Sequence, residues 1–113
     1  MHELGIAMEI ADLASERAGD ARVTRVIVEV GKLTAVLPEA LAFAWEAAVK
    51  SPEAEHPLAG CTLEIVEVAG RGKCRACRQE LELDRPFGRC ACGMTDLEFI
   101  AGEELRIRAL EVT

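Results

Sequence analysis

The sequence lacks any apolar run that could cross a membrane. Half of its 113 residues are hydrophobic, but no run approaches the roughly 18 to 20 residues that a membrane-spanning helix needs. The start also lacks the pattern of a secretory signal peptide, because Glu3, Glu9 and Asp12 fall where a basic end and an unbroken apolar stretch are required. We therefore expect a cytoplasmic protein with no membrane partner.

The chain also lacks the motifs that catalysis commonly uses. It contains no nucleophile paired with a base, no glycine-rich phosphate loop, no internal repeat and no low-complexity tract. Its 113 residues correspond to one ordinary domain, or to one domain with a small appendage. We expect a small protein that is not an enzyme.

The chain has fewer basic residues than acidic ones. The net charge of −7 makes the molecule a poor general binder of nucleic acid. Residues 70–92 reverse this balance, because six basic residues against three acidic ones give +3 there and leave −10 for the remaining residues. The six basic residues are Arg71, Lys73, Arg75, Arg78, Arg85 and Arg89. This segment therefore differs in chemistry from the rest of the chain.

Two segments have the apolar period of an α-helix. Residues 3–18 form a broad apolar stripe, and Gly19 supplies a left-handed stop. The second helix is predicted from LPEALAFAWEAAVK, with Pro38 at its first position. One face of it carries Leu41, Ala44, Trp45, Ala48 and Val49. We interpret Trp45 and Phe43 as core residues and not as ligand contacts.

Three segments have the composition of β-strands. They are residues 22–30, 61–69 and 104–112. In the first strand Val26, Val28 and Val30 share one face, and the charged residues Arg25 and Glu29 lie on the other. The order of elements predicts an α+β fold in which two helices pack on a small mixed three-stranded sheet.

The cysteine-rich segment lies between the second and third predicted strands. We therefore expect a body made of residues 1–69 and 102–113, with residues 70–101 as an inserted, zinc-ribbon-like subdomain. Two residues outside the insertion have metal-binding side chains but are interpreted as incidental. Cys61 is expected to be a small buried hydrophobe, and His56 to lie in a solvated loop.

The segment KCRACRQELELDRPFGRCACG carries the strongest chemical signal. Cys74 and Cys77 form a C-x-x-C motif, the first pair, and after twelve residues Cys90 and Cys92 form the second pair. In a reducing compartment such cysteines serve metal binding or catalysis before disulfides. Four thiolates on two turns suit tetrahedral zinc, and metal binding of roughly 10 to 16 kcal/mol would drive the folding of so small a segment. We expect a structural site, because the protein fills all four positions.

The second pair is one residue shorter than usual. Residues two apart on an extended strand point the same way but are too far apart to chelate one ion, so C-A-C must bend into a tight turn. Gly88 and Gly93 flank the pair and tolerate the backbone angles of such a turn.

Three other interpretations of the cysteines compete with zinc. A redox C-x-x-C is expected at a helix start, disulfides fit the compartment poorly, and the compact two-plus-two layout is less typical of an iron–sulfur cluster than of zinc.

The alternative function is a zinc-ribbon adaptor or nucleic-acid-binding module in which His2 is incidental. Four thiolates on Zn²⁺ would contribute −2 against the local +3, and Phe87 is the one aromatic residue of the segment, so no stacking surface is expected.

The opening stretch, MHELGIAMEI, places His2 directly before the first helix. A free α-amine has an ordinary pKa of about 8 and loses its proton readily to a metal. The Met1 amine, the His2 amide and the His2 imidazole would close two chelate rings, and the Glu3 amide would supply a fourth nitrogen. Four nitrogens in a plane suit Ni(II) or Cu(II) and not zinc. Taken alone the pattern is weak, because the first residues of many chains are simply disordered.

The combination of motifs resembles a known family. MHELGIAMEI, VIVEVGKL, PEALAFAWE and the C-x-x-C motif followed by a second cysteine pair together resemble the hydrogenase nickel-incorporation family, HypA, across essentially the whole chain. The MHE start and the cysteine pairs are its specific motifs, and the intervening elements are compatible with it.

The resemblance implies a nickel metallochaperone for [NiFe] hydrogenase maturation. It implies that nickel is held by Met1, His2 and Glu3. It also implies zinc ligands at Cys74, Cys77, Cys90 and Cys92, the last with one residue deleted from the family's spacing. The implied partners are a HypB-type GTPase and the hydrogenase large subunit, with no nucleic acid, and the chain would be a monomer or weak dimer.

Overall fold

The structure is a computed structural model that describes residues 2–50 and 57–113. His56 lies outside these residues, so its interpretation stays a prediction. No helix in the described part of the chain is long and apolar enough to span a membrane.

Two helices and six strands make up the described chain. Their order is α1 (Glu3–Ala18), β1 (Val23–Gly31), α2 (Pro38–Lys50), β2 (Thr62–Val68), β3 (Gly70–Cys74), β4 (Glu80–Leu83), β5 (Leu97–Ala101) and β6 (Leu105–Val112). Both predicted helices are confirmed, and the three predicted strands correspond to β1, β2 and β6. Strands β3 to β5 lie in the cysteine-rich segment and were not predicted. The α+β class is confirmed.

The end of α1 follows from its sequence. Gly19 has φ 59°, a conformation that costs an L-residue energy but not glycine, and its N–H donates to the Ser15 carbonyl oxygen at 3.2 Å. Glu3 in the first turn lies at the positive end of the helix dipole, and Arg17 in the last turn lies at its negative end. Both charges therefore stabilise the helix.

The first sheet has the strand order β2-β1-β6 and is mixed. Strand β6 runs antiparallel to β1, because the Thr113 N–H donates to Arg22 O at one end and the Gly31 N–H to Glu104 O at the other. Strand β2 runs parallel to β1, since Thr62 Oγ1 donates to Thr24 O near their starts and the Lys32 N–H to Val68 O near their ends. A parallel neighbour requires a crossover, and α2 provides it.

The described chain forms two compact units. Unit 1 comprises the described residues of Met1–Glu29, Val36–Val66 and Arg106–Thr113, and unit 2 comprises Val30–Ala35 and Glu67–Leu105. Unit 2 contains the whole predicted insertion together with a few flanking residues and the segment 30–35. The division of the chain into a body and an insertion with the predicted bounds stays a prediction.

The core of unit 1 combines the two helices with β1. Val26 and Val28 are fully buried, and Trp45 is buried with its Nε1–H donating to Cys61 O at 3.3 Å. The helices add Ala7, Ile10, Ala11, Ala14, Leu41, Ala44 and Val49. The core assignment of Trp45 is therefore confirmed. That of Phe43 is wrong, because its side chain is 78% exposed; two residues along a helix from Leu41, it points to the opposite face.

Unit 2 contains an antiparallel sheet with the strand order β4-β3-β5. Its pairing places Gly72 opposite Leu81 and Phe99, with a bulge between Arg71 and Gly72. Leu83 is buried over Gly72, where an added Cβ would lie 2.9 Å from Leu83 Cδ1. The apolar interior of this sheet is thus small and depends on glycines that let Leu83 approach the backbone.

Arg25 connects all three strands of the first sheet. From β1, its Nη1 donates to Glu64 Oε1 on β2 at 2.8 Å, and its Nη2 donates to Glu111 Oε2 on β6. The hydrogen bond and charge of Arg25 lower the pKa of Glu111 below its ordinary value of 4.5. This contact therefore stabilises the folded state at pH values above about 4.5 and is lost as the pH falls through the lowered folded pKa.

We predict that Arg25→Gln destabilises unit 1 in a pH-dependent way. The urea midpoint of the variant should lie below that of the wild type at pH 7, and the difference should shrink as the pH falls through the lowered pKa of Glu111, where its carboxylate takes up a proton. Fluorescence of Trp45, the single tryptophan, reports on unit 1. The control is Arg108→Gln, on the same strand as Glu111. A difference that stays constant from pH 7 to pH 3 would contradict the assignment.

Candidate metal centre

The first cysteine pair lies on a turn between β3 and β4. Strand β3 ends at Cys74, whose N–H donates to Gln79 O and whose carbonyl oxygen accepts from the Arg78 N–H, both at 2.9 Å. Arg78, directly after Cys77, has φ 68°, which is unusual for a residue other than glycine. The turn aims the Cys74 and Cys77 side chains to one side of the backbone.

The second pair lies on a tight turn, as the C-A-C spacing predicts. The Cys90 N–H donates to Met94 O at 2.9 Å, and the Gly93 N–H donates to Cys90 O at 2.8 Å. Gly93, directly after Cys92, has φ 96°. In both turns, therefore, the residue directly after the second cysteine has a positive φ.

The two turns bring all four sulfurs together. Cys74 Sγ lies 3.6 Å from Cys92 Sγ, and Cys77 Sγ lies 3.5 Å from Cys90 Sγ. All four sulfur atoms lie within 4.8 Å of one another. With zinc–sulfur bonds of about 2.3 Å, a tetrahedral ion places sulfurs about 3.8 Å apart. The four cysteines therefore form a metal-binding group whose donors and spacing fit a single zinc ion.

The surroundings of Cys74 favour the thiolate that metal binding needs. Hydrogen bonding by the Cys77 N–H, and to a lesser degree by the Ala76 N–H, lowers the pKa of Cys74 to about 7. Cys74 and Cys90 are buried, and Cys77 and Cys92 are exposed. Cys61 is different, because burial raises the pKa of its thiol and it stands outside the four-cysteine group, as expected.

The geometry weighs against the competing uses of the cysteines. All five cysteines are free thiols, so there is no disulfide framework. Sulfurs within 4.8 Å of one another leave room for one ion but not for the several irons of a cluster. The first pair follows a strand and does not begin a helix, which is unlike a redox motif.

Several basic side chains of unit 2 are engaged within the protein. Arg71 pairs with Glu80 at 2.8 Å, Arg75 Nε with Asp96 at 3.3 Å, and Lys32 with Asp84 at 3.6 Å. Asp96 lies outside residues 70–92, so its pair with Arg75 offsets part of the positive charge of that segment, and Arg71 is paired within the segment. These two pairs count against the alternative of a nucleic-acid-binding module.

The N-terminal residues begin α1 in unit 1. Met1 lies outside the described residues. His2 is exposed, its side chain makes no capping hydrogen bond, and its carbonyl oxygen accepts from the Ile6 N–H at 2.9 Å. Glu3 is the first helical residue. The backbone nitrogens of His2 and Glu3 lie at the start of the helix, where no acceptor from a preceding helical turn is present.

Two residues near the cysteines were not found from the sequence. Arg78 was counted only as a charge, although its place after a second cysteine, equivalent to Gly93, is a signal for positive φ. Arg89 was also counted only as a charge, and its Nη1 donates to the Gly93 carbonyl oxygen at 3.2 Å. No sequence pattern indicates the direction of such a side chain.

A family model described as "Hydrogenase/urease nickel incorporation, metallochaperone, hypA" matches residues 1–112. This chain belongs to the HypA family. It is 44% identical over 112 residues to the hydrogenase maturation factor HypA of Nostoc punctiforme, with 99% of this chain and 96% of the relative covered. It is 38% identical over 113 residues to that of Geotalea uraniireducens, with 99% of each covered. The solution structure of the Ni metallochaperone HypA from Helicobacter pylori matches with a TM-score of 0.68 at 24% identity, over 99% of this chain and 97% of that one, which supports the fold.

The comparisons and the geometry of the cysteines together confirm three sequence-based expectations. The chain belongs to a family of nickel metallochaperones for hydrogenase maturation, and it carries a four-cysteine metal-binding group. The family consists of maturation factors, so the chain is not a catalytic enzyme.

We predict that Arg78→Gly tightens the first turn relative to Arg78→Ala. Both variants lose the same side chain, but glycine avoids the cost of positive φ, about 1 kcal/mol. Hydrogen exchange of the Cys74 amide should therefore be about fivefold slower in the glycine variant. The matched pair Arg85→Gly and Arg85→Ala, at a position without positive φ, should show no such advantage. Equal exchange in the two Arg78 variants would contradict the assignment of strain.

Proposed function

We propose that this chain binds Ni(II) at Met1, His2 and Glu3 and delivers it during maturation of [NiFe] hydrogenase. The observation that carries the proposal is the match of residues 1–112 to a nickel-incorporation family. The exposed position of His2 at the start of α1 supports it, because an incoming ion can reach the imidazole without unfolding a core.

The chelate would use nitrogen ligands. The Met1 amine, the His2 amide and the His2 imidazole close two adjacent rings around one ion, and the Glu3 amide adds a fourth nitrogen. These amides precede the first hydrogen bond of α1, which the Ile6 N–H makes, so deprotonating them breaks no helical bond. A plane of four nitrogens is a geometry that Ni(II) and Cu(II) prefer, and Cu(II) would bind it more tightly.

The four cysteines would hold a structural zinc ion. Cys74, Cys77, Cys90 and Cys92 fill all four positions of a tetrahedral ion, which leaves no site for substrate. The ion would connect the two turns and replace the apolar core that unit 2 largely lacks.

Delivery would involve a HypB-type GTPase and the hydrogenase large subunit, in the cytoplasm. The names of the relatives favour hydrogenase as the recipient, although the family description also includes urease. Ligands at an exposed helix start can be exchanged one at a time for those of a partner, as a carrier requires. We propose that the chain works as a monomer or weak dimer.

Isothermal titration of Ni²⁺ tests the nickel site. Protein with a free Met1 amine should bind one nickel ion, and His2→Ala should bind far more weakly because it removes the imidazole. His56→Ala, at the second histidine of the chain, is the matched control and should bind like the wild type. Binding should also fade in acid, because metal binding releases protons from its ligands.

A second variant separates the amine from the imidazole. One extra residue before Met1 leaves every side chain in place but moves the amine out of the chelate, so it should weaken binding as strongly as His2→Ala. Unchanged affinity in both variants would exclude the N-terminal site.

Cys90→Ser tests the zinc site. The variant should lose its zinc and unfold unit 2, because a serine hydroxyl is a poor zinc ligand. The helical circular-dichroism signal should mostly remain, since α1 and α2 belong to unit 1. Cys61→Ser is the control and should keep its zinc. Full zinc content in Cys90→Ser would remove Cys90 from the ligand set.

A further inference from the structure

The second cysteine pair has less backbone support than the first. The first pair lies between paired strands, because β3 ends at Cys74 and β4 begins at Glu80. The second pair lies between β4 and β5, in residues 84–96, which contain no strand. Within this stretch two backbone hydrogen bonds close the turn, one from Cys90 to Met94 and one from Gly93 to Cys90.

Arg89 adds a third contact across this turn. It directly precedes Cys90, and its Nη1 donates to the Gly93 carbonyl oxygen at 3.2 Å. The hydrogen bond joins the residues on either side of the pair, so residues 89–93 form a ring closed by a side chain. Because Gly93 directly follows Cys92, a contact that fixes its carbonyl group also restrains Cys92.

Charge favours this contact when a metal is bound. Four thiolates around a divalent cation leave a net charge of −2, and Arg89 is covalently next to one of the ligands. Hydrogen bonds from an ionised donor are stronger than those between neutral groups. A guanidinium also presents its donors in a rigid fork, so little freedom is lost when one of them is fixed.

The other arginines near the cysteines make different contacts. Arg75 pairs with Asp96, and Arg71 pairs with Glu80. The Arg85 guanidinium lies 5.5 Å from the centre of the Phe87 ring. Arg85 is therefore a matched control for Arg89, because it has the same charge and lies in the same loop.

We propose that Arg89 is a positioning residue of the metal centre. It holds Cys90 and Cys92 at the sulfur spacing that a tetrahedral ion requires, although this pair is one residue shorter than a C-x-x-C motif. The inference rests on the proposed four-cysteine zinc site. Without the Arg89 contact the turn opens more often, zinc escapes faster, and Ni(II), which accepts planar arrangements, gains access to the thiolates. Arg89 thereby helps to keep the cargo ion out of the structural site.

The experiment compares zinc-loaded full-length wild type, Arg89→Gln and Arg85→Gln. The rate of zinc transfer to excess coloured chelator measures opening of the site. Nickel–thiolate charge-transfer absorbance after addition of Ni²⁺ measures entry of nickel. We expect Arg89→Gln to release zinc about tenfold faster, the size of effect found when partners of metal ligands are removed, and to develop the nickel–thiolate band sooner. Arg85→Gln should behave like the wild type.

Two results would overturn the proposal. One is unchanged zinc release in Arg89→Gln, and the other is equal acceleration in both variants, which would indicate a general effect of charge. If Arg89→Gln is isolated without zinc, titration of zinc into it and into metal-free Arg85→Gln replaces the rate measurement. Weaker affinity in Arg89→Gln supports the proposal, and equal affinity opposes it. The zinc content of the wild type tests the four-cysteine site separately, so the two failures are distinguishable.

Discussion

The end of β1 is the constraint on which unit 2 depends. The cysteine-rich segment is flanked by two stems, an entering stem that contains Val68 and a returning stem that contains Gly102. The Lys32 N–H donates to Val68 O in the entering stem, and the Leu33 N–H donates to Gly102 O in the returning stem. A Cβ on Gly31 would lie 1.8 Å from the Gly102 carbonyl oxygen, so no residue with a side chain fits there. The two stems are not neighbours in the sheet, because β1 lies between β2 and β6. The same segment therefore fixes both ends of the chain that carries the cysteines.

Beyond these stems, unit 2 has little apolar material with which to fold. Its buried apolar side chains among the described residues are Val30, Leu33 and Leu83, together with the cysteines Cys74 and Cys90. Surface ion pairs such as that between Arg71 and Glu80 add little in water. A metal ion that joins four sulfurs already close together supplies the missing cohesion, and its binding is then also folding free energy. This accounts for cysteines at the centre of unit 2, where unit 1 has valines and a tryptophan.

What the sequence predicted correctly depends on short-range rules. The helices repeat their apolar residues over several turns, and the C-A-C motif can bring its sulfurs together only by bending. Strands β3 to β5 were not predicted, because GRGKC contains two glycines and pairs only when the two turns fix its neighbours. Phe43 was assigned to the core from its residue type, although its place on the helix points it outward. The Arg89 contact was not predicted, because sequence gives the charge of a side chain but not its direction.

The two proposed metal sites have opposite kinetic requirements, and their positions match them. A structural ion must stay bound, and half of its ligands, Cys74 and Cys90, are buried behind turns closed by hydrogen bonds. A transported ion must leave its site. His2 is exposed at the start of a helix, so release of the ion from His2 would disturb no packed side chain. Ligand type separates the sites further, since thiolates in a tetrahedron suit zinc and nitrogens in a plane suit nickel. One small chain can therefore hold both ions only while the thiolate geometry stays rigid, because a flexible four-thiolate site would also accept the cargo.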